Sequence, residues 1–116
     1  MINQQLFQEL THMHADLCSA IADPNRLMLL YTLSEKPCTV NELTELVGIS
    51  QPSASRHLKV LREHGLVSAN RIGQSVEYSL VDLRLIEALD ILRAILRDNI
   101  AYRANLIQAT TVQERP

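Results

Sequence analysis

The sequence predicts a mainly α-helical chain with one small β-hairpin, and three observations carry that expectation. Apolar residues recur at steps of three and four through most of the chain, the spacing that lines one face of an α-helix. Two short helical segments, each opened by a capping residue and closed by a glycine, are separated by only Gly48-Ile49-Ser50. After Gly65 the period changes, and Val76, Tyr78 and Leu80 alternate with Ser75, Glu77 and Ser79 as in a half-buried strand.

Leu6, Leu10, Met13, Leu17 and Ile21 predict a first helix over about 4–21, with Phe7, His14 and Cys18 in a stripe beside them. Asp23-Pro24 starts a second helix: the carboxylate accepts from free backbone N–H groups, and proline sits where its missing donor is harmless. That helix runs to about Ser34 with Leu27, Leu30, Tyr31 and Leu33 inward, and Pro37 closes it. Thr39-Val40-Asn41-Glu42 has the form of a capping box, so a short helix runs to Val47 with Val40, Leu43, Leu46 and Val47 as its apolar side. Gly48 fits its C-terminal cap. Ser50 caps the next helix, Pro52 lies in its first turn, Leu58 and Leu61 hold its inner side, and it reaches His64 before Gly65 ends it. Two short helices joined in this way form a helix-turn-helix.

Residues 66–71 and 75–80 are then the strands of a hairpin tipped by Ile72-Gly73-Gln74, a wing beside the helix-turn-helix. Asp82 opens a final helix reaching at least Ile100. Its Leu83, Leu85, Ile86, Leu89, Ile91, Leu92, Ile95 and Leu96 occupy more than one face. One face covers its own domain and the remainder calls for a partner. Residues 105–116 read as a frayed tail of a single winged helix-turn-helix domain spanning 1–116.

Composition bounds the function. A chain of 116 residues, 47% apolar and 21% charged, has room for one globular core. No apolar run approaches the ~18 residues of a membrane span, and the N-terminus lacks a basic start followed by a hydrophobic stretch, so a cytoplasmic protein with no membrane partner is expected. The net charge of -2 argues at first against nucleic acid. Resolved by segment, residues 1–23 carry -3 from Glu9, Asp16 and Asp23 without any Lys or Arg, whereas 50–74 carry +3 from Arg56, Lys59, Arg62 and Arg71 against Glu63. Phosphate responds to charge within a Debye length of ~8 to 10 Å, so the basic segment outweighs the total.

The stretch Ser50-Gln51-Pro52-Ser53-Ala54-Ser55-Arg56-His57-Leu58-Lys59 is the candidate reading head. Small hydroxyls and an amide let a helix end enter a major groove and offer donors and acceptors to base edges and phosphates. Ser50, Gln51, Ser53 and Ser55 are assigned to groove contacts, Arg56 to a base edge or phosphate, and Lys59 to phosphate. His57 is placed on the groove side and His64 at the helix end. Arg71 and Gln74 reach the flanking backbone or minor groove from the wing. The competing reading is a solvated basic face on a protein-interaction module. An enzyme is not expected: Ser53 and His57 are four apart, but neither an orienting acid nor a Gly-x-Ser-x-Gly elbow accompanies them.

At these residues the chain resembles the ArsR/SmtB winged-helix repressors. The resemblance rests on residues 20–27 (Ala-Ile-Ala-Asp-Pro-Asn-Arg-Leu), on the stretch from Ser50 to Val67, and on Gly73 through Leu80, and covers about 15–100. It implies a homodimer built from the first and last helices that binds double-stranded DNA at an inverted-repeat operator, represses transcription, and is released by an inducer. A two-fold dimer reads half-sites one or two DNA turns apart, on the order of 10 bp per turn.

The sequence departs from the family's familiar metal sites. The cysteine pair of the first helix of the helix-turn-helix is absent, with only Cys38 nearby, and 82–99 contain no histidine. His14 and Cys18, four apart on one helix face, could still offer two ligands to a thiophilic metal or metalloid ion as inducer, the site completed by a pair from each subunit or by Cys38. Alternatively Cys18 and Cys38 could form a reversible disulfide or persulfide bridge, a redox or reactive-sulfur sensor. The third alternative is that Cys18 is buried packing and Cys38, beside Pro37, an inert loop residue.

Overall fold

A computed structural model describes residues 3–114, with side chains for 3–108. The chain divides into two compact units where the sequence suggests one domain: residues up to Leu83, and the segment from Arg84 onward.

In the first unit, α1 begins as an α-helix at Gln4–Met13, passes through a π-helical stretch at His14–Cys18 and closes at Ser19–Ile21. Asn3 caps it, its side chain accepting from the Leu6 N–H at 2.7 Å. Nothing in the apolar spacing foretells the π-helical stretch. Helix α2 (Pro24–Glu35) has the expected cap, with Asp23 accepting from the Asn25 and Arg26 N–H groups. Its inward residues differ from expectation: Leu29, Leu30 and Leu33 are buried, while Leu27 and Tyr31 are half-buried.

Strand β1 (Cys38–Thr39) is the element the sequence does not announce, because two residues are too few to show alternation. Thr39 ends this strand and caps α3 (Val40–Val47), in which both bonds of the capping box form. Only Leu43 of its apolar residues is fully buried; Leu46, expected inside, is 60% exposed, and Val40 and Val47 are half-buried. A helix of two turns turns only its middle fully onto the core. Gly48 ends it at φ 80°, donating to the Thr44 carbonyl at 2.9 Å. A Cβ there would meet nothing within 4 Å, so the demand for glycine comes from the left-handed backbone and not from crowding.

Helix α4 (Gln51–Glu63) follows, capped by Ser50 with Pro52 in its first turn. Strands β2 (Val67–Ile72) and β3 (Ser75–Leu80) pair antiparallel from Val67↔Leu80 to Ile72↔Ser75. The turn is thereby tightened to Gly73-Gln74, and Gly73 takes φ 64° at the first loop position, where a type II′ hairpin turn requires it. Strand β1 adds to the other side of β3, with Cys38 opposite Tyr78, giving a three-stranded sheet of order β1-β3-β2. Ala20, Leu29, Leu30, Cys38, Leu43, Ala54, Leu58 and Leu61 have no exposed surface, so α1, α2, β1, α3 and α4 share one core.

The second unit is α5 (Arg84–Glu114), a helix of 31 residues. It begins two residues after the expected Asp82 and stays helical over 105–114, where the sequence suggests a frayed tail; residues 115–116 lie outside those described. Ile91, Leu92, Ile95, Leu96, Ile100, Tyr102, Leu106 and Ile107 are exposed along it. Among the described residues no helix is long and apolar enough to cross a membrane.

Candidate nucleic-acid interface

Helix α4 has two sharply different sides. Ala54, His57, Leu58 and Leu61, at spacings of three, one and three, face the core, whereas Gln51, Ser55, Arg56, Lys59 and Arg62 are exposed. The Ser50 hydroxyl accepts from the Ser53 N–H at 3.2 Å, which starts the helix where the sequence places it and leaves Ser53 half-buried. The outer side therefore offers an amide, a hydroxyl and cations within three turns, next to a helix N-terminus whose free N–H groups favour anions. On the wing, Arg71 and Gln74 are exposed at and beside the turn.

The start of α3, the start of α4 and the wing meet around a cavity of about 230 Å³ lined by Thr39, Val40, Asn41, Gln51, Gln74, Ser75 and Val76. Gln51 and Gln74, assigned to the interface from sequence, are thus brought together. Thr39 and Asn41 join them, although sequence reasoning treats these two only as parts of a cap. The signal available was position: a capped helix start just ahead of a reading helix.

His57 is the correction. Expected on the groove side, it is only 7% exposed. Its Nδ1 lies 3.3 Å from Arg26 Nη1, and its Nε2 lies 3.9 Å from the Asp23 carboxylate. The helical period puts position 57 on the stripe of 54, 58 and 61, so its geometry is that of a core residue despite its polar type. Partial burial pushes the Asp23 carboxyl up, but N–H donors from Asn25 and Arg26, together with the Arg26 charge, hold it below the ordinary value. His64 sits at the helix end as expected, with Nδ1 4.0 Å from Asp16 Oδ1; Asp16 also meets His12 at 2.7 Å.

The candidate sensor residues are not gathered into one site. Cys18 is half-buried, Cys38 is buried, and both are free thiols. Burial pushes the Cys38 thiol up, and the neighbouring Glu42 adds to the shift; its Sγ donates to the Lys36 carbonyl at 3.4 Å. His14 lies exposed on α1. Among the described residues of the single chain no three His, Cys, Asp or Glu are placed to hold a metal ion.

A capped helix-turn-helix whose second helix exposes amide, hydroxyl and guanidinium groups beside a hairpin carrying Arg71 near its tip defines a winged helix-turn-helix fold. Comparison with known proteins agrees. The family model described as "Bacterial regulatory protein, arsR family" matches residues 23–69. The chain is 42% identical over 76 residues to the HTH-type transcriptional regulator NmtR of Mycobacterium tuberculosis, a match spanning 66% of this chain and 63% of that protein, just under two thirds. It is 37% identical over 81 residues to the biofilm growth-associated repressor of Xylella fastidiosa, covering 70% of this chain and 71% of that one. A homodimeric winged helix-turn-helix DNA-binding domain from Mycobacterium bovis superimposes with a TM-score of 0.73 at 21% identity, over 87% of this chain and 93% of that one, a likeness of fold. The chain belongs to the arsR family of bacterial regulatory proteins, a family of transcription regulators and not of enzymes.

Proposed function

We propose that the chain is a sequence-specific transcriptional repressor that binds an inverted-repeat operator as a homodimer and is released by an inducer. The observation that carries this reading is the division of α4, with its inner side holding the core and its outer side exposing Gln51, Ser55, Arg56 and Lys59 beside Arg71 and Gln74 of the wing. Ser50 and Ser53 serve chiefly as the cap that presents this end to the groove. The homodimer is supported by exposed Leu6, Phe7, Leu10 and Met13 on α1 and by the apolar residues along α5, more uncovered hydrocarbon than a lone small domain normally keeps. The homodimeric state described for the Mycobacterium bovis domain points the same way.

Fluorescence-anisotropy titration against the DNA upstream of the chain's own gene tests the reading. With Arg56, Lys59 and Arg71 of both protomers on phosphate, about six counterions are released, and affinity falls on the order of 10³-fold between 50 and 200 mM salt. Salt-insensitive binding, or none, would favour the protein-interaction module.

For the inducer, thiol chemistry is preferred to a metal or metalloid, because no three described His, Cys, Asp or Glu side chains of one chain are placed to hold an ion. Cys18 is the thiol that a reagent reaches first, because Cys38 is buried with its pKa raised. Operator release under polysulfide, peroxide, arsenite, cadmium and zinc, compared in Cys18→Ser and Cys38→Ser, tests this. Full response in both variants would remove the thiols from the sensing step.

A further inference from the structure

We infer that Arg26 and His57 are positioning residues for DNA binding: one guanidinium ties the inner side of the recognition helix to the end of the first helix and so sets the angle at which α4 meets DNA. Three bonds place it there. Arg26 Nε donates to the Ala20 carbonyl, Nη2 donates to the Ser19 carbonyl at 3.2 Å, and Nη1 faces His57 Nδ1 at 3.3 Å. The two carbonyls belong to the last turn of α1, where helix carbonyls lack partners within the helix and must find donors elsewhere. The third partner lies at the middle of α4, 31 residues away in sequence.

The chemistry fixes the roles. A guanidinium has donors and no acceptor, so His57 Nδ1 accepts, and the ring proton resides on Nε2, the nitrogen facing Asp23 at 3.9 Å. Asp23 in turn accepts from the Arg26 backbone N–H while capping α2. His57 is therefore held through Nδ1 within an otherwise apolar inner stripe, with the Asp23 carboxylate on the side of its other nitrogen beyond hydrogen-bond distance. Apolar packing alone lets a helix slide or rotate at modest cost, whereas directional bonds to a planar group do not. Seven residues on, the same helix meets α1 again through His64 and Asp16 at 4.0 Å. Helix α4 thus approaches the end of α1 at two points, and the earlier turns of α1 carry the exposed Leu6, Phe7, Leu10 and Met13 assigned to the dimer contact. A rearrangement of α1 reaches the reading head through Arg26.

The inference rests on α4 being the helix that reads DNA, and the experiment separates the two ideas. Operator affinity is measured by anisotropy for Arg26→Lys, His57→Gln, His57→Asn, the double variant Arg26→Lys/His57→Gln, and Arg56→Ala, with thermal melts as a folding control. An asparagine oxygen falls where Nδ1 sits and still accepts from Arg26, whereas glutamine extends its amide to the Nε2 position. His57→Gln is expected to lose about tenfold in affinity and His57→Asn to rescue most of that loss. Arg26→Lys loses about as much as His57→Gln, since an ammonium lacks the planar fork, and the double variant loses no more than the worse single one. Equal affinities for His57→Asn and His57→Gln, or fully additive losses, would overturn the positioning role. If Arg26→Lys does not fold, the two His57 variants decide alone. If Arg56→Ala binds as tightly as the unaltered chain, the assignment of α4 itself fails.

Discussion

Helices α4 and α5 differ in how far each resolves its own burial. Helix α4 has 13 residues, a serine cap, and a clean split between a buried side of Ala54, His57, Leu58 and Leu61 and an exposed polar side. Helix α5 has 31 residues and leaves leucines and isoleucines exposed from Ile91 to Ile107. The first pattern belongs to a helix whose packing is complete and whose outer side is free to read a ligand. The second leaves apolar surface uncovered within the chain, the surface assigned above to the proposed dimer contact.

The contrast breaks or sharpens under substitution. The largest effect is expected on the inner side of α4: Leu58→Ala removes a fully buried side chain and should cost about 2 to 5 kcal/mol in urea denaturation. On α5, Leu96→Glu puts a charge on a residue that is 60% exposed within the chain. It should raise the dimer dissociation constant by about a hundredfold in sedimentation while leaving the helix formed. An unchanged association state would remove this part of α5 from the dimer contact. On the outer side of α4, Arg56→Ala should weaken operator binding by about tenfold with urea stability altered by less than ~0.5 kcal/mol. Gly48→Ala, which forces an L-residue to φ 80°, should cost about 1 kcal/mol.

The smallest effect is expected from the caps under acid. Asp23 and Glu42 both titrate below their ordinary values in the folded chain, Glu42 chiefly through the Thr39 backbone N–H and Asp23 through donors that outweigh its partial burial. Their contribution is complete above the unfolded carboxylate range of about 4 and is lost as pH falls through the lower folded values. Urea midpoints should therefore drop between pH 5 and pH 3, less steeply in Asp23→Asn.

The helix-turn-helix and wing were legible because their signals are local. A capping box at Thr39 and Glu42, glycines at 48, 65 and 73, and strand alternation each act within a few residues, and the structure places caps and turns at those positions. Outside that range the signals failed. Strand β1 exists only because β3 lies beside it, and two residues have no period of their own. Leu46 reads as core by type yet lies outside, while His57 reads as surface by type yet lies inside. For His57 the spacing was right and the residue chemistry misled, since its burial depends on a guanidinium contributed by α2.

By itself the sequence determined the order of helices, the caps that start and stop them, the hairpin, and the basic segment that overrides a net charge of -2. Those properties arise from backbone bonds and side-chain periods spanning a few residues. Tertiary structure decided the third strand, the meeting of Asn41, Gln51 and Gln74 around one cavity, the burial of Cys38, and the Arg26–His57 tie. Each depends on groups far apart in the chain, and their proximity is set only when the shared core closes and polar atoms inside it must find partners.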